Sequence, residues 1–293
     1  MNGTIAVARY TLVELSRRRI LLVFLILGAV GIAALGGGLK LLYTFLSSSS
    51  GVAPANADPA AFNRFLELLF LNYVFSALGT FGLLIAYAIG MTAIYHDLDS
   101  GAAVSIFSKP VSRLAFAAGK VGAAAAALVA IMAVLALEAR FVMFLFGGGL
   151  ENALTLEALA VVANTLVLML IVLALSTWMN NIVAAVVAFV YYNVLSGVVL
   201  FVHNLVDNGV IGNQVVKTII DIVYWLFPHQ LVSSAAGDLA RAQIAISGPT
   251  AQDSSQALAS VPPASGAGDI VWWVFVVCFF SGMLYYAVRR RQV

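Results

Sequence analysis

Beyond its first twenty residues the chain alternates long apolar runs with short polar interruptions. Six runs, at about 20–46, 65–95, 114–146, 156–178, 182–206 and 270–288, approach or exceed the roughly 20 apolar residues that an α-helix needs to cross a bilayer. Barrel strands would instead alternate apolar and polar positions over about ten residues. The pattern therefore predicts an all-α integral membrane protein with six transmembrane helices. The second and third runs outlast a bilayer thickness, which predicts tilted or projecting helices.

Three segments between the runs depart from a plain bundle. In residues 1–19 the apolar side chains Ile5, Ala8, Leu12 and Leu15 recur at helical spacing, with Arg9, Glu14, Arg17 and Arg18 largely off that stripe. This predicts an interfacial helix lying against the inner leaflet, its arginines turned toward anionic lipid. In the connection 96–113, Asp99 or Ser100 can cap a short helix over 102–107. Pro110 disfavours helical geometry at Lys109, and Ser112 can cap the next span. Without further information this connection is equally well a solvated loop. The segment 207–269 opens with Val215, Val216, Ile219, Ile220 and Val223 on one helical face, an interfacial or re-entrant helix ended by Phe227-Pro228. Lys217 and Asp221, four apart, can pair weakly there. From Ser233 on, Ala, Ser, Gly and Pro predominate, which predicts a loosely ordered external loop.

Composition agrees with the pattern. Of 293 residues 62% are hydrophobic and 10% charged, and the mean hydropathy is +1.02. A soluble domain carries about 25% charged residues. The net charge of +2 gives no footprint for nucleic acid. The single cysteine, Cys278, excludes an internal disulfide and a cysteine zinc cluster. The apolar run after Arg17–Arg19 is long enough to span, so no cleavable leader is expected.

The basic residues set the orientation. Arg9 and Arg17–Arg19 precede the first span, Lys109, Arg113 and Lys120 surround the second connection, and Arg289–Arg291 follow the last span. The positive-inside rule then places both termini and the 96–113 connection in the cytoplasm of a cell-membrane protein. The fourth and fifth spans are joined by little more than Asn180-Asn181.

Catalytic signatures are missing. His96, His203 and His229 show no metal-ligand spacing, and no nucleophile elbow or metalloprotease motif occurs. Asn72, Asn164, Ser176, Thr177, Asn193 and Ser196 inside the spans read as interhelical hydrogen-bond partners. Glu138 and Arg140 fall near the far end of the third span, where they mark an interface or line a mouth. No catalytic, cofactor-binding or metal residue is expected.

The succession Asp97-Leu98-Asp99-Ser100-Gly101, Ser108-Lys109-Pro110-Val111-Ser112-Arg113 and Gly119-Lys120 resembles the signature of ABC-2 type transporter permeases, near those of nitrous oxide reductase maturation and of multidrug or sodium export. One departure is Ala102, where that family often has threonine. The resemblance extends to the six-span layout with an N-terminal elbow helix and a long last external connection. It implies that the second connection is a coupling helix in the groove of a separate ATPase. Asp97, Asp99, Ser100, Gly101, Val104 and Phe107 would meet that ATPase. Lys109, Pro110, Arg113 and Lys120 would orient the connection at the membrane. It also implies two ATPase copies and a second, identical permease chain. Gly119-Lys120 lacks the spacing and the hydroxyl residue of a phosphate-binding loop, so ATP hydrolysis would belong to the partner. Two functions follow: a permease exporting or flipping a substrate, or a non-transporting platform passing ATP-driven motion to an extracytoplasmic partner.

Overall fold

The computed structural model describes residues 3–48, 59–95, 111–145, 151–207, 209, 211–247, 261 and 263–290. Among them every regular element is helical. Helix α1 is Gly3–Ser16, α2 Arg19–Ser48, α3 Pro59–Thr92, α4 Arg113–Phe144 and α5 Glu151–Ser176. The fifth span is composite: α6, Asn181–Ala188, a π-helical turn Phe189–Leu195, and α7, Ser196–Asp207. Helices α8, Gln214–Leu226, and α9, Ala235–Ser247, precede α10, Ala267–Arg290. Six helical stretches among the described residues are long and apolar enough to cross a membrane.

The caps follow from sequence chemistry. Ser112 Oγ accepts from Ala115 N at 3.1 Å and opens α4. Asn180 Oδ1 accepts from Ile182 N at 2.9 Å, which starts α6 right after the tight turn that ends α5. Asn213 Oδ1 does the same for Val215 N at α8. Each satisfies an amide that the first helical turn leaves without a partner.

Helix α5 is the central pillar. Its residues from Val167 to Ala174 are all buried, so this half has no lipid face, as expected of a helix segment apolar all round and enclosed by others. Helix α3 packs along it, and a Cβ on Gly90 of α3 would come within 2.8 Å of Val172. A small residue there lets the two backbones approach, the usual packing device where lipid supplies no hydrophobic drive between helices. The outer helices show bilayer-facing side chains such as Leu137, Ile182, Val186 and Val271, all more than half exposed.

Helix α1 is docked on the protein as well as turned to the surface. Its buried face is Val7, Thr11 and Leu15, whereas Ile5 and Leu12 of the expected stripe are exposed. The reason is the neighbour: α1 lies along the start of α4, and the apolar residues on its other side face outward, where lipid accepts them equally well. At the other end of the bundle the expected loose loop after Ser233 is instead α9, laid against α3 with Ala235 and Ala242 buried. Alanine, poor in hydrophobic signal, is the strongest helix former.

Candidate functional site

The two ends of the bundle carry different chemistry. At the α1 end, Lys120 of α4 is fully buried, and its Nζ lies 3.3 Å from Glu14 Oε2. Glu14 also accepts from Arg18 one turn on, and Arg18 Nη2 reaches the Thr92 carbonyl at the end of α3, at 3.5 Å. The Tyr10 ring stands 5.5 Å from the Lys120 ammonium, within cation–π range. Burial pushes the Glu14 carboxyl up. The Arg18 hydrogen bond and the Lys120 and Arg18 charges outweigh it and hold the group below its ordinary value. The charge network thus ties α1, α3 and α4 at one point. One residue earlier, a Cβ on Gly119 would sit 2.8 Å from the Thr4 carbonyl oxygen and 2.9 Å from Val7 Cβ. Only glycine admits α1 at this distance.

Arg113, at the start of α4, turns away from α1. Its Nη1 donates to the carbonyls of Arg289, at 2.7 Å, and Val288, at 3.5 Å, and so caps the C-terminus of α10. Both cations of the connection that fall in the described range thus grip neighbouring helices. Asp97, Asp99, Ser100, Gly101, Val104, Phe107, Lys109 and Pro110, with the short helix at 102–107, lie outside the described residues.

At the opposite end, the stretch after α8 dips into the bundle. Asn164 of α5 clamps Leu231 twice: Nδ2 donates to Leu231 O at 2.9 Å, and Oδ1 accepts from Leu231 N at 2.8 Å. The Tyr192 hydroxyl donates to the same Oδ1 at 3.3 Å. Gln230 reaches Tyr192 O, the Ser233 hydroxyl binds the Glu157 carboxylate, and Val232 and Ser265 exchange two bonds at 2.9 Å. Trp272 Nε1 donates to Phe227 O at 3.2 Å. A backbone re-entering at this depth is tolerated because its polar groups find partners within the protein.

Beneath this re-entrant segment lies a cavity of about 290 Å³ between α3, α5 and the π-helical turn, lined in part by Asn72, Ser76, Glu157, Tyr192, Asn193 and Gln230. The π-turn brings adjacent residues inward: Tyr192 bonds Asn164, and Asn193 Nδ2 donates to Tyr87 at 3.1 Å. Such turns are frequent at functional sites. Three of the polar residues picked out in the sequence, Asn72, Asn164 and Asn193, meet here. Ser176 and Thr177 do not, each bonding back to its own helix, at 2.9 and 2.6 Å.

Sequence reasoning missed a second cluster at this end. The rings of His203 and His229 stack on the two sides of Tyr224, each with centroids 4.0 Å apart. His203 lies 3.3 Å from Asp207 and 3.4 Å from Asp221, so Asp221 meets a histidine of α7, where pairing with Lys217 was expected. Asp269 Oδ1 accepts from the Tyr224 hydroxyl at 2.9 Å and sits 3.2 Å from His229 Nε2. Burial pushes the His229 ring below its ordinary value, against the opposing pull of the Tyr224 carbonyl and Asp269. Burial, aided by Asp269, pushes the Tyr224 phenol up. The four-residue step from His203 to Asp207 was the one local signal. Among the described residues no group of histidine, cysteine and carboxylates is arranged to hold a metal ion.

No protein-family model and no curated protein matches the chain. The functional reading therefore rests on its own residues.

Proposed function

We propose that the chain is the permease subunit of an ABC transporter of the ABC-2 type, driven by a separate ATPase. The observation that supports it best is the junction of α1 with α4. The chain runs from the Asp97–Arg113 stretch straight into α4, and seven residues into that helix the buried Lys120–Glu14 pair binds α1 to it. A push on the connection would move α1 and α4 together, and through Arg18 and Arg113 would reach the ends of α3 and α10. Such a unit suits mechanical input at the cytoplasmic face. Both termini lie on that face in this reading, and the permease works as a pair with two ATPase copies.

A second reading, the non-transporting platform, draws on the far end. There α8, the re-entrant segment and α9 form an ordered surface that a partner protein could grip. Co-expression with a candidate ATP-binding cassette ATPase separates the readings. A permease gives a two-plus-two complex whose ATP turnover responds to lipid or cargo and falls in Asp99→Ala and Gly101→Trp variants. A platform gives turnover that responds only to its partner protein. Robust ATP hydrolysis by the isolated chain would overturn both.

A further inference from the structure

We propose that the cavity under the re-entrant segment is a binding site for a small organic ammonium group. Its lining holds one carboxylate, Glu157, together with amide side chains and the aromatic residues Phe75 and Tyr192, and among the described residues no lysine, arginine or histidine. An anion would meet a carboxylate and no balancing charge, at a depth where unpaired charge is costly. The hydrogen-bonding sense points the same way. Tyr192 already spends its hydroxyl proton on Asn164, and Asn193 gives an amide proton to Tyr87. The amide oxygen of Asn193 remains an acceptor, as does the Glu157 carboxylate beyond its bond to Ser233. A cation that is apolar at its rim and positive at its centre fits a space of carboxylate and amide oxygens with otherwise apolar walls.

Size narrows the class. The 290 Å³ of the cavity equals the liquid volume of about ten waters, at the lower edge of the usual range for ligand pockets. It holds one headgroup-sized ammonium and no drug-sized molecule. The chemistry is shared by free ammonium compounds and by lipid headgroups. The site lies within one chain, so the inference stands apart from the permease reading and is tested without any ATPase.

The test is calorimetric titration of the isolated chain in dodecyl maltoside with choline, its neutral isostere 3,3-dimethylbutanol, inorganic phosphate and phosphocholine. Choline should bind at least tenfold more tightly than the neutral isostere, and phosphate not at all. Tighter binding of phosphocholine than choline assigns the site to a lipid headgroup, the reverse to a free ammonium. Glu157→Gln keeps the acceptor for Ser233 and should weaken choline at least tenfold, leaving the isostere unchanged. Should that variant fail to fold, Gly79→Leu replaces it. Gly79 lines the cavity, a Cβ there meets nothing within 4 Å, and the larger side chain should abolish binding by filling the space. Choline binding no tighter than its isostere, or unaffected by these substitutions, overturns the proposal.

Discussion

Replacing Glu14 by glutamine isolates the energetics of the α1–α4 junction. Breaking a buried ion pair by removing one partner costs about 3–5 kcal/mol when the remaining charge is left uncompensated. Here the remaining charge is Lys120, whose side chain is 0% exposed. The ammonium keeps the Tyr10 ring and other interactions, which lowers the expected loss to about 2–3 kcal/mol. Lys120→Met should cost less. It leaves Glu14, 19% exposed, paired with Arg18, and the lost interaction then resembles a part-exposed pair worth about 1 kcal/mol. The assay reads the junction directly. Thr11 is fully buried against α4, so a Thr11→Cys probe in a Cys278→Ala background labels only when α1 lifts. A loss of about 2 kcal/mol raises labelling about thirtyfold, and one of about 1 kcal/mol about fivefold. The double variant Glu14→Leu/Lys120→Met leaves no fully buried charge, with only the part-buried Arg18 losing its carboxylate, and should recover part of the way toward the parent rate. Equal labelling in the two single variants, or a parent rate in Glu14→Gln, would refute the asymmetry argued from burial.

Three further outcomes are expected. Gly119→Ala should destabilise by about 1–3 kcal/mol through overpacking on Thr4 and Val7, whereas Gly122→Ala, with open space at its Cβ, should be neutral or stabilising; chemical denaturation in mixed micelles compares them. Asn164→Ala leaves the Leu231 amide and carbonyl without their partners and should cost about 2–3 kcal/mol, read as faster proteolysis between α8 and α9. The third outcome concerns pH. His229 sits below its ordinary value, so the folded state resists its protonation, and the stability it supports is present above about pH 6.5 and lost as pH falls. His203, Asp207, Asp221, Asp269 and Tyr224 face the same cluster, so the control is His229→Phe. Hydrogen-exchange protection at 227–234, corrected for the intrinsic pH dependence of amide exchange, should fall at pH 5 in the parent and fall much less in the variant.

The six spans were legible because a run of twenty or more apolar residues has few alternatives, and the cap at Ser112 was written in the side chain next to the helix it starts; the caps at Asn180 and Asn213 were not read. Which face of α1 is buried was not legible. In a bilayer Ile5 and Leu12 gain as much from lipid as from protein, so an apolar stripe no longer points inward. Long-range partners were hidden too. Glu14 and Lys120 are 106 residues apart, and His203 and His229 meet only because Tyr224 stands between them. Asn72, Asn164 and Asn193 were visible as polar residues in apolar surroundings, yet their convergence on one cavity depends on helix rotation, which composition does not encode. Helix α9 escaped because alanine signals a helix by propensity alone.

The π-helical turn at Phe189–Leu195 makes the fifth span behave like a shaft with one extra tooth. A helix advances about 100° per residue, so deleting one outward-facing residue there, Val190 or Val194, would restore a uniform thread and turn everything beyond it by about that angle. His203 would swing off Tyr224 and Asp221, while α6, on the near side of the tooth, would stay where it is. The insertion therefore divides the span into two segments whose angular settings are chosen separately. One is phased to the central pillar, the other to α8 and the ring of Tyr224. A shift of the extra residue along the helix would re-index one against the other without breaking the span.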